Sequence, residues 1–454
     1  MNTMEIQEMV AKAREAQAIF ERTFNQNTVD AVVKATARVV FDNAEKLAKM
    51  AVEETKMGVY EDKVAKCRNK SKGVWYNLRG KKSMGILEID ERTDMITIAK
   101  PVGVVCGITP MTNPVVTPMS KIMFALKTKN AIIIAPHPKS KVCSSTTVHL
   151  IQEKLKTMGV PDYLVQVVEE PAIEKSQELM KTVDVVIATG GMGMVKAAYS
   201  SGKPSFGVGA GNVQVIIDTD VDFDKAANMI ITGRAFDNGI ICSGEQFFAY
   251  PKKDKEAVFA AFKKNGAYFV NEADKEKLLN FMFDEKGVIN RNAVGQSPAV
   301  IAERAGISVP EGTRVIVAEA VGAGKADRIC KEKMCPVMGC IGYDSFEEGI
   351  DMLETNLKME GNGHTAAVHS NNQGHIIMAG ETLTVSRVVV NAISSTTGGG
   401  AIQNGLAVTN TLGCGTWGNN SISENFTYKH LLNTTRIAPL CERIVIPSDE
   451  EMWR

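Results

Sequence analysis

Four short runs of aliphatic and β-branched residues, "NAIIIA", "LVQVVE", "VDVVIA" and "VQVIID", begin near positions 131, 164, 183 and 213, with helical stretches between them. This alternation constrains the fold more than any other feature. A chain that returns through a helix after each strand builds a parallel sheet by right-handed crossovers, with helices on both faces. Such doubly wound sheets bind nucleotides beyond the carboxyl ends of their strands. One intervening helix is "TTVHLIQEKLKTMG", with a glycine to stop it. At 454 residues the chain is long for one core, and a second α/β segment is expected after about residue 225.

The first quarter has a different period. Val33, Ala37, Val40, Ala44, Leu47 and Ala51 recur at alternating spacings of four and three, and no Pro or Gly interrupts them before Gly58, so helix is predicted. In "GILEIDERTDMITIAKP", residues 85 to 101, two alternating runs flank a polar "DERTD" turn and predict a hairpin. A projecting hairpin suits an oligomer contact or a plain surface ribbon.

Composition removes several classes of function. Basic and acidic residues number 52 each, and no Lys/Arg block marks a nucleic-acid groove. No apolar run reaches the roughly 18 residues of a membrane span, and "MNTMEIQEMVAKAREAQAIF" is amphipathic, without the layout of a signal peptide. A soluble, cytoplasmic protein is expected. Nine cysteines, an odd number spread over a long chain, fit free thiols in a reducing compartment. Cys330, Cys335 and Cys340 recur every five residues and no His pair has helical spacing, so no metal is expected.

Three motifs carry chemistry. "ATGGMGMVK", 188 to 196, follows an apolar strand and opens a helix, which suits a phosphate, although a tight structural turn accounts for it as well. "TPMTNP", 109 to 114, could aim the Asn113 amide into a cleft as an oxyanion donor, or hold it as a turn residue. "DNGIICSGEQ", 237 to 246, sets Cys242 between an Asn-Gly and a Ser-Gly turn, where N–H groups can point inward. Context leaves both packing and reaction open for that thiol.

Taken in order, "TPMTNP", "ATGG", "GVGAGN", "DNGIICSGEQ", "CKEKMCPV" and "GHTAAVHS" resemble the aldehyde dehydrogenase superfamily along essentially the whole chain. "TNPVVTPM", "KAAYSSGKPSFGVGAGNVQVI" and "TLGCGTWGNNSISENFTYKHLL" are similar to its coenzyme A-acylating branch, and within it to the succinate-semialdehyde dehydrogenases. The resemblance implies an α/β fold with a Rossmann-type cofactor domain (1–84 and 102–225), an α/β catalytic domain (226–430) and oligomerisation elements (85–101 and 431–454). It implies Cys242 as nucleophile and Asn113 as oxyanion donor, helped by the Cys242 backbone N–H. Cofactor contacts are implied at Pro110, His137, Lys139, Ser140, Gly190, Gly191, Gly209 and Glu332.

The departures from the family pattern are equally informative. Hydrolytic members carry a glutamate in an "ELGGK" segment, where it activates the water that cleaves the enzyme thioester. Here the aligned stretch is "GVGAGN", with Gly207 in that place. A thioester without a water-activating base survives for a better nucleophile such as the thiol of coenzyme A. After the first cofactor strand, where NAD enzymes often hold the ribose with a glutamate, stand Pro138, Lys139, Ser140 and Lys141. This composition leans towards NADP, with NAD also accommodated. Arg234, Ser243 and His364 are candidates for the substrate's far end; His364 could instead handle the proton of the coenzyme A thiol or be a satisfied loop histidine, Arg234 could equally be a structural ion-pair partner, and Arg387 reads rather as one. The expected reaction is reversible conversion of succinate semialdehyde to succinyl-coenzyme A by a homodimer or dimer of dimers. Acetaldehyde, propionaldehyde or sulfoacetaldehyde as substrate, and a non-catalytic structural subunit, are the competing readings.

Overall fold

The computed structural model describes residues 4–454. Four helices come first: α1 (Ile6–Thr23), α2 (Gln26–Asp42), α3 (Ala44–Thr55) and α4 (Tyr60–Leu78). The period predicted as one helix from Val33 to Ala51 is broken at Asn43, whose backbone leaves helical geometry between α2 and α3. Neither Pro nor Gly is needed for such a break. The hairpin follows as β1 (Gly85–Asp90) and β2 (Met95–Pro101), paired antiparallel.

Strands β3 (Val104–Thr109), β4 (Ala131–Pro136), β5 (Val165–Val167), β6 (Val185–Ala188) and β7 (Ser205–Gly207) form a five-stranded parallel sheet in the order β5-β4-β3-β6-β7. Helices α5 (Val116–Lys127), α6 (Lys141–Lys156), α7 (Ile173–Thr182) and α8 (Met192–Tyr199) connect them. The order reverses direction between β3 and β6, and ligands of doubly wound sheets sit at such a switch point. The second sheet holds seven strands, from β8 (Val213–Ile217) and β9 (Glu245–Pro251), with α9 (Phe223–Ala235) between them, through β10 (Ala267–Phe269), β11 (Val315–Glu319), β12 (Val337–Tyr343), β13 (Ala366–His369) and β14 (Val388–Val390).

The run "VQVIID" therefore does not belong to the first sheet. As β8 it pairs with β9 and β13, so the division between sheets falls between Gly207 and Val213 and not near 225. A fully buried parallel strand reads alike in either sheet, because both faces are apolar. Val215, Phe248 and Val317 enter one core layer while Ile216, Phe247 and Ile316 enter the other, as strand alternation requires. Val408, Phe426, Tyr428 and Leu431 pack into the core of the first sheet, which ties the late segment back across the cleft.

β15 (Leu432–Ile437) pairs with β2, completing a three-stranded sheet β1-β2-β15. It stands off both cores, and Ile89, Ile437, Leu440, Val445 and Trp453 are exposed on it and on the tail that follows. No helix among the described residues is long and apolar enough to cross a membrane. All nine cysteines are free, and all but Cys242 and Cys441 are buried. No group of three or more His, Cys, Asp or Glu among the described residues is placed to hold a metal.

Candidate active site

A cleft of ≈ 420 Å³ opens where the carboxyl ends of β3, β4 and β6 face the loops that enter β8, β9 and β12. Pro110 and Asn113 reach it from the turn after β3, and His137 from the turn after β4. Gly190 and Gly191 follow β6, Gly209 lies between the two sheets, and Cys242 and Glu332 come from the catalytic side. The eight residues thus converge from segments far apart in sequence. On the other side of Cys242 and Asn113 lies a second cavity of ≈ 140 Å³, walled by Lys66, Lys70, Ser243, Ser395 and Thr396. Cys242 and Asn113 line both spaces, so the sulfur stands at the junction of two approaches.

The cofactor side is built for close backbone approach. Gly191 caps α8 without a side chain, and a Cβ placed on it would meet nothing within 4 Å. The first N–H groups of α8 are therefore open to an anion. At Gly211 a Cβ would lie 2.0 Å from the Cys242 carbonyl oxygen, so only glycine lets this loop pass beneath the cysteine. The Gly211 N–H donates to Glu332 Oε1 at 3.2 Å. Burial, and then Glu360, raise the Glu332 carboxyl to about 8, so it is placed to share protons with a bound hydroxyl.

Cys242 is raised as well. Burial, then the carboxylate of Glu332, push its thiol up to about 11, while Arg387 acts in the opposite sense. The resting thiol is protonated at neutral pH, and a positive charge entering beside it would be needed to release the proton. Asn113 is held from behind, because Lys66 Nζ donates to its Oδ1 at 2.8 Å.

Gly207, at the place of the missing glutamate, is closely flanked. A Cβ there would lie 2.7 Å from the Tyr199 ring and 2.6 Å from Val195 Cγ1, and the Gly207 N–H donates to Tyr199 Oη at 2.8 Å. Tyr199 occupies the space that a side chain would need. No carboxylate lines the cavity beyond Cys242.

Several expectations are corrected. Arg234 does not reach the substrate space: it is fully buried, and its guanidinium donates to the carbonyls of Cys335 and Glu245. Desolvation makes a fully paired interior cation costly to redirect towards a ligand. His364 is likewise buried, with Nδ1 against Thr365 Oγ1 at 2.9 Å, and burial lowers its ring to about 3. A ring held neutral and away from both cavities handles no proton there. Ser140 is buried with its hydroxyl donating to the His137 carbonyl at 3.3 Å, and it does not line the cleft. Lys141 is paired with Glu170 at 2.5 Å. Arg387 is buried and donates to the carbonyls of His364 and Gly413, which makes it a structural residue, bonded to main-chain carbonyls and not to a carboxylate. Ser243 does face the cavity.

Sequence reasoning missed Lys70 and most of a second, cationic group, of which it named only His137 and Lys139. Lys70 lines the cavity beyond Cys242, where its ammonium donates to the carbonyls of Gly399 at 3.2 Å and Thr409 at 3.3 Å. Burial lowers it to about 8, and among the described residues no carboxylate pairs with it. The second group lines a cavity of ≈ 660 Å³ that shares Met111, Thr112 and His137 with the cleft and adds Lys56, Lys139, Arg291 and Arg304. Its one carboxylate, Glu54, is occupied in accepting the N–H groups of Val142 and Cys143 at the start of α6. The space is thus cationic and open to phosphate.

Comparison with known proteins accords with this arrangement. The profile of the aldehyde dehydrogenase family matches residues 1–274. The chain is 51% identical over 453 residues to a succinate-semialdehyde dehydrogenase (acetylating) from Clostridium kluyveri, covering 100% of this chain and 99% of that one. Its fold superposes with a TM-score of 0.93 on an acetylating aldehyde dehydrogenase from Geobacillus thermoglucosidasius, at 37% identity and 98% coverage of each chain. A propionaldehyde dehydrogenase from Rhodopseudomonas palustris, solved with bound coenzyme A and an acylated cysteine, is 27% identical with a TM-score of 0.87, over 96% of this chain and 98% of that one. The chain belongs to the aldehyde dehydrogenase family.

Proposed function

We propose that this protein is a coenzyme A-acylating aldehyde dehydrogenase that interconverts succinate semialdehyde and succinyl-coenzyme A. The observation that carries the reading is that no carboxylate lines the cavity beyond Cys242, while Gly207, at the place of the water-activating glutamate, has no side chain and no room for one. An acyl group on Cys242 then has no carboxylate to deliver water from the aldehyde side, while the wide cleft admits a thiol from the other.

The chain's own residues account for the steps. Cys242 Sγ attacks the aldehyde carbon from the junction of the two cavities, and the oxygen that becomes negative is met by the Asn113 amide and the Cys242 N–H. When bound, NADP or NAD supplies a nicotinamide that accepts the hydride of the resulting thiohemiacetal. The glycines at 190, 191 and 209 and the free start of α8 fit its pyrophosphate, and Glu332 fits a ribose hydroxyl. What remains is an acyl thioester on Cys242, exposed towards the cleft. Coenzyme A as co-substrate takes the acyl group by thiol exchange, which is close to energetic balance and so runs in both directions.

Two further features bear on the substrates. Lys70 and Ser243 present an ammonium and a hydroxyl at the wall of the small cavity, which suits an aldehyde ending in a carboxylate. A sulfonate-ended aldehyde fits the same chemistry, and a short neutral aldehyde leaves the ammonium without an anionic partner. The cationic cavity of Lys56, Lys139, Arg291 and Arg304 suits the phosphates of coenzyme A or the 2′-phosphate of NADP. The β1-β2-β15 sheet and its apolar tail support self-association as a homodimer or dimer of dimers, and the free thiols fit a cytoplasmic site of action.

The decisive panel measures oxidation of succinate semialdehyde, propionaldehyde and sulfoacetaldehyde, each with NADP or NAD and each with and without coenzyme A. Fast turnover of succinate semialdehyde only with coenzyme A is expected. Equal rates without it, forming free acid, would overturn the acylating assignment.

A further inference from the structure

Asp237 opens the cysteine motif yet does not face either approach to the sulfur. Asp237, Asn238 and Gly239 run through three consecutive left-handed conformations, with φ of 53°, 50° and 71°, a costly path for the two residues that carry a Cβ. The path inverts the Asp237 side chain and buries it completely against α4. There Oδ1 accepts the Val59 N–H at 2.8 Å, and Oδ2 accepts Lys63 Nζ at 3.0 Å and Lys66 Nζ at 2.5 Å. Gly58 makes the approach possible, since a Cβ on it would lie 2.0 Å from Asp237 Oδ1.

Two lysines share one carboxylate, and they differ in what else they hold. Lys63 has no other side-chain partner in this group. Lys66 also donates to Asn113 Oδ1 at 2.8 Å. An ammonium has only donors, so it tolerates the oxygen of the amide and excludes its NH₂. The Asn113 NH₂ is thereby turned away from the Lys66 ammonium, which leaves it free for the cavities whose walls Asn113 shares with Cys242. A cation on Oδ1 also draws electron density from the amide and strengthens its N–H groups as donors.

We propose that Lys66, held by Asp237, is the positioning residue that fixes and polarises the Asn113 amide for the oxyanion formed on the substrate at Cys242. The proposal rests on the reading of Cys242 as nucleophile and Asn113 as oxyanion donor. The strained Asp-Asn-Gly segment then joins the nucleophile loop to the oxyanion donor through one buried ion cluster. Lys66 shares a wall of the small cavity, but its ammonium is engaged by Asp237 and Asn113, so in this scheme it acts through Asn113.

The test is a double-mutant cycle with Lys66→Met and Asn113→Ala, reading kcat and KM for succinate semialdehyde and the rate of Cys242 alkylation by iodoacetamide. Lys66→Met leaves the Asp237–Lys63 pair balanced, and Lys66→Arg, which keeps the charge, serves as the second variant. Asn113→Ala is expected to lower kcat on the order of 10²-fold. Lys66→Met should approach that loss with KM and alkylation little changed, Lys66→Arg should recover part of it, and adding Lys66→Met to Asn113→Ala should cost less than about twofold more. If Lys66→Met costs the same factor in both backgrounds, its role is general structure and the proposal fails. An Asn113→Ala enzyme with undiminished kcat would instead overturn the reading of the site on which the proposal rests.

Discussion

Replacing Lys70 by methionine roughly keeps the length of the side chain and removes its charge from the wall of the aldehyde cavity. The ammonium now holds two carbonyl oxygens at 3.2 and 3.3 Å and no carboxylate, so its charge is left for the substrate. A hydrogen bond to a charged group contributes about 1.5–3 kcal/mol net, which corresponds to about 10- to 150-fold in kcat/KM. Succinate semialdehyde should lose that factor, while propionaldehyde, without a carboxylate, should lose none. The pH dependence has a definite sign. Because burial lowers Lys70 to about 8, the free enzyme loses this charge as pH rises through that value. The ratio of kcat/KM for succinate semialdehyde to that for propionaldehyde should therefore fall above about pH 8 in the wild-type enzyme and stay flat in Lys70→Met. Steady-state kinetics following the absorbance of the reduced nicotinamide, run for both aldehydes across the pH range, measure it. An equal loss for both aldehydes, or a flat ratio in the wild type, would refute carboxylate recognition by Lys70.

Other substitutions separate structure from chemistry. Gly207→Glu should not create a hydrolytic enzyme: the Tyr199 ring fills the space, so overpacking of about 1–3 kcal/mol is expected in denaturant unfolding, with no oxidation independent of coenzyme A. Arg234→Met strands the Cys335 and Glu245 carbonyls and should lower stability by roughly 3 kcal/mol or more, with KM of the folded enzyme unchanged. Alkylation of Cys242 should follow a midpoint near 11 in the free enzyme and move to lower pH when an oxidised nicotinamide cofactor is added, as a pH series with iodoacetamide would read. Arg291→Ala should raise KM for coenzyme A more than KM for dephospho-coenzyme A if the cationic cavity takes the 3′-phosphate.

The strand and helix alternation was legible because each buried strand is a compact β-branched run, and the motifs around Cys242, Asn113 and Gly190 converge as their chain order implied. The assignment of β8 to its sheet was not legible, since period and burial are the same on both sides of the cleft. Arg234 and His364 misled because a charged or titratable residue near a reactive motif can serve the backbone that shapes the loop. Lys63, Lys66 and Lys70 belong to no motif and were not singled out. Their spacing of three and four residues puts them on one face of α4 with Cys67 and Val74, both buried, and that was the available signal. The cationic cavity draws on residues near 56, 139, 291 and 304, a grouping that only the folded chain brings together.

The central claim is that Cys242 carries the acyl group and passes it to a thiol and not to water. Incubation with succinyl-coenzyme A, removal of free coenzyme A, and mass spectrometry of the peptide containing Cys242 test it directly. A succinyl adduct on Cys242 that persists in buffer and is discharged on adding coenzyme A is the predicted result. An adduct on another cysteine, or one that hydrolyses as fast without coenzyme A as with it, would contradict the account.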